Sequence, residues 1–250
     1  MIRIGSVPYL NALPLTVRLA IPFETHPPAV LAQKMLAREL EIAMLPTAAL
    51  FASPYRVVPG IAIGCDGPVA SVKLLLRTNV TAARRVGLDA NSRTSNELAG
   101  IVLRERYGIH PNFVTGSSLA RFHEDTSLDA QVLIGDDALF NDEPHIDLGN
   151  EWKLLTGLPF VFAVWAMQDD VSDAYADILR TAKVAGMKEI GAIAEIRGES
   201  RKDLLMQYFT VHMRYDLDER AIDGIKTFAR YSGKDFTMDR IGHQNDDCSS

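Results

Sequence analysis

The sequence predicts an α/β protein whose strands and helices form two lobes around a ligand cleft. Three observations carry that prediction. Short apolar runs alternate with helical patterns along most of the chain. Polar residues gather at the ends of those runs, at positions 6–11, 46–47, 91–95 and 135–137, where open α/β sheets bind ligands. A fresh strand–helix series begins near residue 80. The 250 residues are therefore expected to divide into one lobe from 1–79 with 163–250 and a second from 80–162.

Residues 2–7 read as the first strand. A turn at Pro8 leads into a helix over 12–19, with Pro14 in the first turn, where its missing N–H does no harm. Residues 23–26 suggest a second strand. Pro27 and Pro28 open a helix in which Leu31 and Met35, then Leu36 and Leu40, recur four apart. Residues 41–45 form a strand ending at Pro46 and Thr47. Strands over 57–63 and 72–76 are joined through a Gly-Pro-rich turn at 64–69.

In the second unit, residues 85–88 read as a strand and 94–107 as a helix carrying Leu98, Ile101 and Leu103, with Gly108 at its stop. A short strand at 113–114, a helical turn at 118–122 and a buried strand at 130–134 follow. Minor elements occupy 146–148 and 152–155. Residues 158–167 are almost continuously apolar, the pattern of a strand buried on both faces. Helices then occupy 172–196 (one or two), 201–215 and 218–231, with Gly233 as a stop. They are expected to complete the first lobe without carrying chemistry. The sheet should be largely parallel, and the chain should cross between lobes near 76–80 and 160–167. The polar stretch from Gly242 reads as a disordered tail.

Hydrophobic residues make up 47% and charged residues 23% of the chain, with a net charge of −6. That balance argues against a nucleic-acid partner. No apolar run approaches the ~20 residues of a membrane span, and the N-terminus opens on a strand pattern where an export leader would stand. Cys65 sits in an apolar segment and Cys248 in a polar one, so no disulfide and a reducing, cytoplasmic setting are expected.

There is no glycine-rich phosphate loop, CxxC pair, GxSxG elbow or metal-spaced histidine pair. The turn Asp142-Glu143-Pro144-His145-Ile146-Asp147 is the strongest metal candidate, but its acids need not converge. No metal or cofactor is expected. Ser92, Arg93, Thr94 and Ser95 lie at a strand-to-helix junction. Hydroxyls, a guanidinium fork, free backbone N–H groups and the positive helix end together make a receptor for a carboxylate. Ser6, Tyr9 and Asn11 follow the first strand. Asn11 cannot exchange a proton at neutral pH, yet its amide can orient a hydroxyl and stabilise developing charge. Ser71 either faces the same cleft or is an ordinary strand residue. One of Asp136 and Asp137 is a candidate base or a helix cap. Phe162 and Trp165 either floor the cleft or pack in the core.

The stretch Ile4-Gly5-Ser6-Val7-Pro8-Tyr9-Leu10-Asn11-Ala12-Leu13-Pro14-Leu15 resembles the opening of the chorismate dehydratase family, of the futalosine route to menaquinone. The resemblance continues through Val69-Ala70-Ser71-Val72, Ser92-Arg93-Thr94-Ser95, Ile134-Gly135-Asp136-Asp137-Ala138-Leu139 and Thr156-Gly157-Leu158-Pro159-Phe160-Val161-Phe162-Ala163-Val164-Trp165. Asn91 departs from the small residue expected before Ser92. The resemblance implies a fold similar to type II periplasmic binding proteins and the loss of water from chorismate, giving 3-[(1-carboxyvinyl)oxy]benzoate. On that reading Asn11 and Ser71 serve the chemistry, while Ser6, Tyr9, Thr47, Ser92, Arg93, Thr94, Ser95 and Asp136 surround the substrate. The proton goes to the substrate's own enolpyruvyl carboxylate or to Asp136. A 1,4-dihydroxy-6-naphthoate synthase-like enzyme and a non-catalytic anion-binding protein are the alternatives.

Overall fold

A computed structural model describes residues 2–52 and 55–237. Cys248 and the stretch from Gly242 lie outside the described residues. The first lobe opens with β1 (Ile4–Ser6), a 3-10 turn at Leu10–Ala12 and α1 (Leu13–Thr16), with Pro14 in its first turn. Next come β2 (Glu24–Thr25), α2 (Pro28–Leu36), β3 (Ile42–Pro46), α3 (Thr47–Leu50) and the long β4 (Arg56–Cys65). The chain then enters the second lobe with β5 (Val72–Leu76), β6 (Arg85–Asp89) and α4 (Arg93–Glu105). That lobe continues through β7 (Asn112–Ser117), α5 (Leu119–Glu124), β8 (Ala130–Ile134), α6 (Gly135–Leu139), β9 (His145–Asp147) and α7 (Leu148–Thr156). The return to the first lobe is β10 (Phe160–Met167). After it come α8 (Ala174–Met187), α9 (Ile190–Gly198), α10 (Lys202–Gln207), a single π-helical turn at Tyr208–His212 and α11 (Glu219–Tyr231).

Each lobe holds one five-stranded sheet, ordered β2-β1-β3-β10-β4 and β7-β6-β8-β5-β9. Both are mixed, which corrects the expectation of a largely parallel sheet. β10 runs antiparallel to β3 and β4, and β5 runs antiparallel to β8 and β9. Both exceptions lie beside the crossings, because a chain that changes lobes enters the new sheet from the hinge end. β5 also belongs to the second sheet, so the first crossing is residues 66–71 and not the expected 76–80. The parallel strands β1, β3, β6 and β8 keep their carboxyl ends at the cleft, as the polar clusters implied.

Two devices hold the crossings. At the first, the Asp147 carboxylate accepts from the backbone N–H groups of Val69 and Ala70 at 2.7–3.1 Å. Ala70 sits there at φ 62°, a left-handed geometry that costs a residue with a Cβ roughly 1–2 kcal/mol. At the second crossing, the Trp152 indole donates to Pro159 O at 3.1 Å. Its ring meets Phe160 at 5.2 Å and Phe228 of α11 at 6.1 Å, edge-on. One core of buried apolar side chains runs through both lobes.

Two helical expectations change. Arg38 adopts φ 55° and ends α2. Leu40 therefore leaves the helix and drops into the core, while Leu36 is left 74% exposed. The single helix expected over 201–215 breaks into α10 and the π turn, after which Arg214 pairs with Gly64 beside β4.

Candidate functional site

The lobes meet at a cleft holding about 560 Å³ of empty space, part of it open to solvent. Tyr9, Asn11, Pro46, Ile63, Phe162 and Ala163 reach it from the first lobe. Ser92, Thr94, Ser95, Ile134 and Gly135 reach it from the second, with Val69, Ser71 and Val72 at the first crossing. The four hydroxyl residues Ser71, Ser92, Thr94 and Ser95 are all buried.

The second-lobe wall is built by the start of α4. Ser92 caps the helix: its Oγ accepts from Ser95 N at 3.2 Å and donates to Ser95 Oγ at 2.8 Å. α4 is thirteen residues long, so its positive end is directed at the cavity. Thr94 Oγ1 accepts from the backbone N–H of Ala48, across the lobes, at 3.0 Å. A second bond across the lobes joins Leu10 N to Asp136 Oδ1 at 3.1 Å.

Tyr9 closes the mouth. A Cβ on Gly135 would lie 2.8 Å from the Tyr9 ring, and Gly135 adopts φ 67°. Only glycine satisfies both the backbone and the approach of that ring. Burial, followed by the charges of Asp89, Asp136 and Asp137, pushes the Tyr9 phenol up to about 12.

At the hinge, the Tyr208 hydroxyl donates to Ser71 Oγ at 2.8 Å. Burial raises the Tyr208 phenol well above the usual tyrosine range, against a smaller opposing effect of the Ser71 and Asn11 side chains. Asn11 Oδ1 itself is buried with no protein partner. The structure thus brings Asn11, Ser71, Tyr9, Ser92, Thr94 and Ser95 to one cavity.

Four expected contacts lie elsewhere. Ser6 is wholly buried and does not line the cavity; its Oγ has no partner. The Thr47 hydroxyl is taken by Val161 O at 2.7 Å, tying the start of α3 to β10. Arg93 is exposed, pointing away from the cavity that Ser92, Thr94 and Ser95 line. Asp136 holds the Leu10 amide. Burial raises its carboxyl above the usual aspartate range, Leu10 N opposes that, and the Asp137 charge adds to it.

Phe162 lines the cavity, whereas Trp165 is packed in the core with its Nε1 unpartnered. In the acidic turn, Glu143 is bound to Asn141 and His123. Among the described residues no three His, Cys, Asp or Glu side chains gather as metal ligands, and no helix is long and apolar enough to cross a membrane. Sequence reasoning missed Tyr208, Gly135 and Ala70.

The family model for menaquinone biosynthesis matches residues 2–234. A protein from Thermus thermophilus named chorismate dehydratase is 29% identical over 206 residues, covering 72% of this chain and 74% of that one. Among solved structures, a structural-genomics protein from Archaeoglobus fulgidus superposes with a TM-score of 0.71 at 14% identity, covering 93% of this chain and 96% of that one. The alkanesulfonate-binding protein of Xanthomonas axonopodis pv. citri gives 0.66 at 15% identity, covering 96% and 97%. A Candida albicans protein described as having the generic periplasmic-binding-protein fold gives 0.60 at 14%, covering 96% and 92%. At such identities these likenesses establish the fold.

Proposed function

The chain belongs to the menaquinone-biosynthesis family, and we propose that its cleft dehydrates chorismate to 3-[(1-carboxyvinyl)oxy]benzoate. The likeness to the Thermus chorismate dehydratase supports this reading. The observation that carries it is the make-up of the cavity wall: hydroxyls, one amide, a helix N-terminus and apolar side chains. Among the described residues no lysine, arginine, histidine or carboxylate lines it.

Such a wall holds a dianion through directed neutral dipoles. Ser92, Ser95 and the first-turn amides of α4 receive one substrate carboxylate. Asn11 and Ser71, across the cavity, meet the ring hydroxyl that leaves. Tyr9, the sole titratable lining residue among the described residues, has its phenol pushed up to about 12 and is no base. The ring proton therefore passes to the substrate's enolpyruvyl carboxylate. The C–H electrons enter the ring, the neighbouring C–O bond breaks, and hydroxide leaves as water on taking up a proton. Aromatisation drives the step. The protein's part is alignment, so that this elimination outruns loss or migration of the enolpyruvyl arm. Burial of the hydroxyls keeps bulk water out and strengthens each dipole.

On this reading the protein is a hydro-lyase of the futalosine route, acting in the cytoplasm. Incubating the purified protein with chorismate tests it. A new aromatic absorbance with the mass of chorismate less one water is expected. Chorismate that binds and is recovered unchanged would make the protein a binding module, and a different product would make it another enzyme.

A further inference from the structure

Tyr208 touches both residues assigned to the leaving hydroxyl, yet it is 1% exposed and does not line the cavity. It opens the π-helical turn of the C-terminal helices. Met213 N bonds back to Tyr208 O at 2.9 Å, and His212 Nδ1 lies 3.2 Å from Pro68 O in the first crossing. A π turn shifts the register of every later side chain and recurs at functional sites. Here it seats a phenol under the hinge.

The phenol O–H is committed to Ser71 Oγ. Ser71 thus accepts from Tyr208, and its own proton is free to be given to another acceptor. The Asn11 side chain also acts on the phenol. Its Oδ1 is left without a protein partner. The phenol therefore fixes Ser71 as a donor, with the unpartnered Asn11 Oδ1 as the acceptor nearby.

Resting on the reading of the cleft as a dehydratase site, we propose that Tyr208 is a positioning residue for the departing hydroxyl. It aims the Ser71 proton at the hydroxyl oxygen, beside the unpartnered Asn11 Oδ1 that accepts from the hydroxyl hydrogen. The phenol does not give up its proton, since a buried phenolate would be strongly disfavoured. Its contribution is the direction it imposes, which matters most when charge develops on the leaving oxygen.

Four proteins test this with chorismate: the wild type, Tyr208→Phe, Ser71→Ala and the double variant. Tyr208→Phe is expected to lower kcat by about ten- to a hundredfold, less than the ~10²–10³ of a direct donor, with KM nearly unchanged. If Tyr208 acts through Ser71, the double variant is no slower than Ser71→Ala. An active wild type whose kcat survives Tyr208→Phe would overturn the proposal alone. So would two losses that multiply in full. A wild type inert toward chorismate would overturn the reading of the reaction and the proposal with it. If Tyr208→Phe fails to fold, 3-fluorotyrosine at position 208 keeps the ring and strengthens its donor. A raised kcat is then expected, and an unchanged one would overturn the proposal.

Discussion

The two jaws of the cleft are built on different plans. The second-lobe jaw satisfies itself: Ser92 and Ser95 bond each other and Thr94 holds Ala48 of the other lobe. The first-lobe jaw is mostly apolar and holds the buried Asn11 Oδ1 without a protein partner. A self-satisfied cap at a helix end suits a carboxylate present from binding to release. A lone acceptor suits a group that changes during the reaction. The difference teaches that ground-state holding and transition-state alignment are separated in space, so their losses should separate in kinetics.

Substitution at Asn11 should break the comparison hardest. Asn11→Ala is expected to lower kcat with chorismate by ~10²–10³ and KM hardly at all, and an undiminished kcat would remove the amide from the chemistry. Gly135→Ala comes next. The added Cβ meets the Tyr9 ring at 2.8 Å in a left-handed backbone, so the jaws cannot close as they do. A drop of about tenfold or more in kcat/KM is expected in steady-state assays. Ser95→Ala, on the holding jaw, should raise KM by about tenfold through one lost charge-assisted hydrogen bond, leaving kcat close to wild type. A fall in kcat alone would erase the distinction between the jaws.

Asp136→Asn sharpens it differently. The amide oxygen still accepts from Leu10 N, so turnover should persist. Burial raises this carboxyl above its ordinary 3.8. The folded chain then binds its proton more tightly than the unfolded chain, and stability is lost as pH rises through that range. The variant is therefore expected to melt no lower than wild type at neutral pH. Lost turnover would instead mark Asp136 as the base.

Much of this was legible in the chain. Ser92 and Ser95, spaced three apart before an amphipathic run, announce a capped helix, and strand ends within one residue of Ser6, Pro46, Asp89 and Ile134 follow from local pattern. Arg93 failed because type and spacing did not fix which side of the helix it would take. Thr47 failed because a backbone carbonyl 114 residues away claims its hydroxyl. Tyr208 meets Ser71 across 137 residues of sequence, a contact that only the hinge creates. The antiparallel entry of β5 and β10 likewise depends on the crossings, which no strand pattern encodes.

The most direct measurement is a crystal structure with the dehydrated product bound. The account predicts one carboxylate on Ser92, Ser95 and the start of α4, with the ring carbon that lost its oxygen facing Asn11 and Ser71. A product seated outside the cavity, or one whose carboxylates are gripped by arginine or lysine, would contradict it.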